Sequence, residues 1–227
     1  MYEKYIKRPM DFFLSLCAVI VLSPVLLILT AVGVFAMKGN PFFTQPRPGK
    51  DEKIFKLIKF RTMTCEKDQN GNFLPDDVRL TKYGKFLRST SLDELPELFN
   101  ILRGDMAVIG PRPQLVRDMV FMTDVQRTRH TVRPGLSGLA QVNGRNAINW
   151  ENKLSFDLQY IENITFIGDV KIILETFVKV FKREDISEEG METAEDFGDY
   201  LLRCGKVEEH EYRKLMDESE KLLFADK

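Results

Sequence analysis

The hydrophobic pattern changes its period several times along the chain, and each change marks an element. Between Asp11 and Lys38 lie 26 residues, FFLSLCAVIVLSPVLLILTAVGVFAM, without a charge. One helix of that size would rise about 39 Å, against roughly 30 Å of bilayer hydrocarbon. Two features oppose a simple span. Ser23-Pro24 stands at the centre, where proline removes a backbone donor and its ring crowds the preceding turn. Both flanks are cationic, with Lys4, Lys7 and Arg8 before and Lys38, Arg47 and Lys50 after, whereas a crossing helix normally carries that bias on one side. The pattern predicts a re-entrant helix–break–helix over residues 1–38, with limbs of about 18 Å and both ends on one membrane face. The Ser23 hydroxyl would take one of the carbonyls that the proline frees. A kinked span and a cleaved leader with a weak Ala31-Val32-Gly33 site are the alternatives.

Beyond the apolar run the period shortens. Residues 42–63 read as a β-hairpin turned at Pro46-Arg47-Pro48-Gly49, with IFKLIKFRTM alternating apolar and basic positions. Lys59 and Arg61 then share a face, either in solvent or aimed at a phosphate. Residues 66–79 form a polar, turn-rich loop. Short helices follow near 81–88 and from Asp93 to Leu102, then a strand from Met106 to Ile109, a proline-stiffened GPRPQ loop and a helix over 114–128. Residues 134–147 read as loop. Helical spacing returns in Trp150, Leu154, Leu158 and Ile161, and again in Val170, Ile173, Leu174, Phe177 and Phe181. The second stripe fits core packing, or a helix lying on headgroups with Lys171, Lys179 and Lys182. A last helix in the tail sets Tyr212, Leu215 and Leu222 or Leu223 toward a partner or the body.

The fold class is therefore α+β: a mostly helical catalytic domain over 39–183 with a small hairpin, preceded by the membrane helix. Charge separates a third part. From Glu184 onward there are 15 acidic and 6 basic residues, leaving 19 acidic and 27 basic before it, within a net charge of −1. The body is basic and the extension 184–227 acidic, which suits phosphates or anionic lipid at the body. Three separated cysteines (Cys17, Cys65, Cys204) and two histidines (His130, His210) exclude zinc fingers, HExxH proteases and a disulfide framework. No Walker or Rossmann phosphate loop is present. Nucleic acid is excluded as a partner because aromatics do not interleave with the basic residues.

SLDELPELFN carries the candidate chemistry. Ser91 and Glu94 have capping-box spacing, although Pro96 moves the expected cap toward Leu92 or Asp93. Either way Asp93 and Glu94 sit at the positive end of a helix, where carboxylates ionise readily and can attack or bind a metal. Acids in a first helical turn are ordinary in isolation. Here Arg88 precedes them by a turn, Arg112 is held between Pro111 and Pro113, Arg145 lies in NGRN, and Lys59 and Arg61 come from the hairpin. Such cations on loops, with carboxylates for Mg²⁺, make a diphosphate site without a P-loop. His130 reads as a packed histidine.

The ordered set KRPMDFF, FTQPRPG, KFRTM, LRSTSLDELPELFNILRGDM, IGPRP, RPGLSGLAQVNGRN and Asp169 before a helix resembles the bacterial sugar transferases, in particular the small monotopic polyprenol-phosphate phosphoglycosyl transferases. The resemblance covers about residues 5–183. It implies transfer of a sugar phosphate from a UDP-sugar to polyprenol (undecaprenyl) phosphate, with Mg²⁺, at the cytoplasmic face of the bacterial inner membrane, as a first step of glycan assembly. It implies Asp93 as nucleophile in a covalent aspartyl phospho-sugar, with UMP released, and Glu94 as metal ligand or base. Arg112, Arg145, Arg88 and Lys59 would bind phosphate, and Ser23-Pro24 would break the anchor. A UDP-releasing glycosyltransferase and a non-enzymatic membrane scaffold are the rival classes. A homodimer or contact with downstream glycosyltransferases is left open for the tail.

Overall fold

The apolar run forms one helix, α1 (Lys7–Ala36), in the computed structural model, which describes residues 1–144, 148–182 and 195–225. The helix continues through Pro24 rather than parting there. Proline cannot donate to the carbonyl four residues back, and Ser23 Oγ donates to that Ile20 carbonyl at 2.8 Å. The expected break is thus one missing backbone bond, locally replaced.

The buried residues of α1 are Lys7, Asp11, Ser15, Leu29 and Gly33, and between its ends Ala18, Val19 and Leu22 pack, partly buried, against Leu57, Leu98, Ile101 and Met106. Lys7 Nζ donates to the buried Asp169 at 2.6 Å, and Asp11 Oδ1 accepts from Val108 N at 3.1 Å. At the other end Tyr83 donates to the Leu29 carbonyl at 2.7 Å. The opposite face is bare: Val21 is 73% exposed, Leu27 71% and, near the end, Phe35 83%.

The hairpin follows as β1 (Phe42–Pro48) and β2 (Ile54–Phe60), antiparallel with Pro46 opposite Lys56. Its turn lies at 49–53, not at the prolines, which stay in an edge strand where a missing donor is harmless. Then come α2 (Asp76–Arg79), α3 (Lys82–Thr90) and α4 (Glu97–Arg103). The structure ends α4 at Gly104, whose φ of +97° favours glycine. Arg8 caps this end, donating to the carbonyls of Ile101 at 2.7 Å and Leu102 at 3.1 Å.

A second small sheet was not legible in the sequence. β3 (Ala107–Ile109) pairs in parallel with β4 (Gly135–Ser137), which lies in the stretch expected to be loop and leads into α7 (Leu139–Val142). The helix expected over 114–128 is two shorter ones, α5 (Val116–Met119) and α6 (Asp124–Arg127), with Thr123 capping the second. The two longer helices are α8 (Trp150–Glu162) and α9 (Phe166–Lys182). The stripe on α9 does not fill a core: Leu174 and Phe177 are 61% and 60% exposed, while Asp169 and Ile172 face inward. The tail supplies α10 (Phe197–Arg203) and α11 (Glu209–Ala225). Tyr212, Leu215 and Leu222 pack on the body, against a cluster holding Phe121, Trp150, Leu154 and Phe197.

Candidate active site

Three segments bring charged side chains to one cleft of about 1490 Å³. β2 delivers Lys59, which is not in solvent: it donates to Glu94 Oε1 at 2.8 Å and pairs with Glu97 at 3.1 Å. Arg88, in the last turn of α3, donates through Nε to Thr62 Oγ1 at 3.2 Å. The loop after β3 delivers Arg112, whose Nη2 donates to the same Glu94 oxygen at 2.7 Å.

Local packing aims the carboxylate pair. Ser91 ends α3 in the left-handed region (φ 55°) and opens a 3-10 turn, Leu92–Glu94. Its side chain makes no cap bond, and α4 begins only after Pro96, so the expected capping box is absent among the described residues and the dyad precedes the helix. Leu92 and Leu95 pack against the Leu29, Phe60 and Leu87 cluster. Residues three apart in such a turn lie on one side, which leaves Asp93 and Glu94 on the wall of the cleft.

The two carboxylates sit in opposite electrostatic states. Burial would push Glu94 upward, but Arg112 and Lys59 outweigh it and hold its pKa well below the usual carboxylate range. Burial and the Glu94 charge push Asp93 up to about 6. Burial likewise pushes Glu97 up to about 7, against the pull of Lys59. Among the described residues no hydrogen bond or ion pair engages the Asp93 carboxylate, whereas Glu94 is tied to two cations. One acid is thus fixed between two cations, and the other stands beside it without a partner among the described residues. For a metal, the described residues hold no group of three or more His, Cys, Asp or Glu side chains. One or two carboxylates completed by substrate phosphate is the usual way Mg²⁺ is held.

Lys59, Arg88, Asp93, Glu94 and Arg112 line the cleft together. Arg145 lies outside the described residues. His130 is 5% exposed and held near a pKa of about 4, by burial and then by the Arg129 charge, as a packed histidine. The sequence reading missed Glu97, Arg47 and the Arg129–Asp157 pair. Arg47 is flanked by prolines as Arg112 is, and it lines the cleft while donating to the Pro113 carbonyl at 3.2 Å. Arg129 is fully buried, pairs with Asp157 at 2.6 Å and donates to the Arg112 carbonyl at 2.5 Å, so it fixes the backbone that presents Arg112. No local pattern announces a pair 28 residues apart.

The cleft also has an apolar wall. Leu14, Ala18 and Leu22 of α1 line it on one side and Ile173 and Phe177 of α9 on another, so the cations of the cleft meet the flank of the long apolar helix.

The chain is similar to several known proteins. An uncharacterised sugar transferase of Bacillus subtilis is 49% identical over 173 residues, covering 75% of this chain and 86% of that protein. A UDP-glucose:undecaprenyl-phosphate glucose-1-phosphate transferase of Klebsiella pneumoniae is 41% identical over 186 residues, 78% of this chain but 39% of that protein. An exopolysaccharide production protein of Sinorhizobium fredii is 34% identical, covering 77% of this chain and 84% of its own length. The chain thus spans most of some relatives and well under half of others. The profile described as bacterial sugar transferase matches residues 2–183, and the chain belongs to that family.

Proposed function

We propose that the protein transfers a sugar phosphate from a UDP-sugar to undecaprenyl phosphate at the cytoplasmic face of the bacterial inner membrane, in two steps through Asp93. The observation that carries this reading is the uncommitted Asp93 carboxylate beside a Glu94 locked by Lys59 and Arg112. An Asp93 oxygen attacks the sugar-bearing phosphorus of the donor, the bond from that phosphorus to the bridging oxygen breaks, and UMP leaves with the electron pair. A phosphate oxygen of the lipid then attacks the same phosphorus and the Asp93 oxygen departs as carboxylate. Two steps let the anionic donor and anionic lipid use one cationic pocket in turn. Lys59, Arg88 and Arg112 offset phosphate charge, with Arg145 a further candidate.

The donor set suits Mg²⁺: Asp93 and the second oxygen of Glu94 are carboxylate oxygens without a cation partner among the described residues. Bound there with substrate phosphate, Mg²⁺ would neutralise charge on the diphosphate. Relatives named as a UDP-galactose-lipid carrier transferase and an undecaprenyl-phosphate galactose phosphotransferase support the substrate class.

Membrane attachment rests on α1 and α9. α1 is fastened to one body at both ends and along one face while its opposite face is bare, which supports a helix that dips into one leaflet without crossing. The exposed Leu174 and Phe177 of α9, with Lys171 exposed on the same helix, suit the headgroup boundary.

The test is nucleotide release from a panel of UDP-sugars by detergent-solubilised protein with Mg²⁺ and undecaprenyl phosphate. UMP release lost in Asp93→Asn is expected. UDP as product would replace this mechanism with glycosyl transfer, and a folded, inert wild type across the panel would favour the scaffold.

A further inference from the structure

We infer that the acidic C-terminal extension is a working wall of the donor cleft, in which Asp196 reads a hydroxyl-bearing ring of the donor. The inference rests on the proposed UDP-sugar chemistry. The extension lies outside the family match, which ends at 183, yet Glu195 and Asp196 line the same cleft as Asp93.

This wall is held firmly from several directions. Trp150 Nε1 donates to the Glu195 carbonyl at 3.1 Å, and the Trp150 and Phe197 rings lie 5.0 Å apart. Phe197 N donates to the buried Asp118 carboxylate at 2.9 Å. Arg117 pairs with Asp196 at 2.9 Å and with Asp199 at 3.3 Å. The Arg117 contact takes Asp196 Oδ2, and Oδ1 has no partner among the described residues, so the side chain is oriented yet retains an acceptor.

Independent polar groups line the same cavity. Asp157 is 1% exposed, and its Oδ1 has no hydrogen-bond partner among the described residues, although Oδ2 holds Arg129. Gln141 is 7% exposed, and neither atom of its carboxamide has a partner among them. Buried polar atoms in native proteins are almost always paired, and those that are not call for a ligand, water or strain to explain them. Such groups suit hydroxyls: an ionised carboxylate only accepts, and a ring hydroxyl donates to it while accepting from an amide. The cleft is thereby polarised. Cations at Lys59, Arg88 and Arg112 suit the diphosphate, and the carboxylates of α8 and the extension repel phosphate and suit a neutral polyol. A UDP-sugar offers two such rings, the glycosyl group and the ribose.

The test compares wild type, Asp196→Asn and the exposed-surface control Glu220→Gln in the full detergent-solubilised chain. Steady-state kinetics with saturating undecaprenyl phosphate would cover UDP-glucose, UDP-galactose and their N-acetyl counterparts, while UMP and 2′-deoxy-UMP serve as competitors. Asp196→Asn keeps the side-chain shape and an acceptor for Arg117. It is expected to change the ratio of kcat/KM between donors, or between the two nucleotides' inhibition constants, by roughly tenfold. The KM for the lipid should stay unchanged, as should all values in Glu220→Gln. A changed donor ratio assigns the glycosyl ring and a changed nucleotide ratio the ribose. Ratios within twofold of wild type in both arms, or a loss uniform across all ligands with a lowered melting temperature, would overturn the inference and leave the extension a structural cap. A wild type inert toward every donor would refute the parent reading and this one with it.

Discussion

Replacing Asp93 by asparagine should stabilise the folded protein at neutral pH while ending turnover. The carboxyl is raised from 3.8 to about 6, by burial and then by the neighbouring Glu94 charge. A shift of about two units corresponds to roughly 3 kcal/mol of preference for the protonated form. The folded state binds this proton more tightly than the unfolded state, so stability falls as pH rises from about 4 through about 6, and the full cost applies above that window. Asparagine keeps the shape and cannot ionise. The variant should therefore gain about 2–3 kcal/mol at pH 7.5, or roughly 4–12 °C in melting temperature for a chain of this size, and the gain should vanish near pH 4. The assay is thermal unfolding of both proteins in detergent, without divalent cations, at pH 4, 6 and 7.5. A variant no more stable than wild type at pH 7.5, or equally favoured at pH 4, would refute the reasoning that Asp93 is held ionised against its surroundings.

Glu94→Gln removes the negative neighbour and releases Lys59 and Arg112, so the acid limb of the pH–rate profile should move down by about one unit. Activity measured from pH 5 to 8 would check this; an unmoved limb counts against coupling between the two acids. Asp157→Leu leaves the buried Arg129 unpaired and should cost about 3–5 kcal/mol, read as a lowered denaturation midpoint. A loss below 1 kcal/mol would mean that the Arg112 backbone is fixed by other contacts. Single cysteines at Glu3→Cys and Lys38→Cys, in a background without Cys17, Cys65 and Cys204, should both react with an impermeant thiol reagent from the cytoplasmic side only. Labelling from opposite sides would establish a crossing helix.

Much of the site was legible because its parts lie close together in sequence. Asp93 and Glu94 are adjacent, Arg88 is one turn upstream, and the prolines around Arg112 mark a rigid loop. The apolar run and its proline were equally plain, and Ser23 bonds the carbonyl that Pro24 leaves free. What was hidden depends on pairing across distance. β4 has only three residues, Gly135–Ser137, and becomes a strand through β3 alone. The short α5 and α6 shared an apolar pattern that read as one helix. Glu97 looked like an ordinary first-turn acid until Lys59, 38 positions earlier, proved to be its partner. The exposed stripe of α9 has the same period as a core stripe, and periodicity reports which residues share a face but not what covers it.

α4 has a mechanical consequence. Its seven residues make a strut of about 10 Å. Arg8 of α1 grips its carbonyl end, and its first residue, Glu97, is joined to Lys59 only three positions after Glu94. The position of Asp93 and Glu94 relative to α1 is therefore gauged by two turns of hydrogen-bonded backbone instead of a flexible tether. Each residue inserted into that gauge would lift the dyad by about 1.5 Å and swing it by about 100°. A loop in this position could absorb a length change; this strut converts one into misalignment.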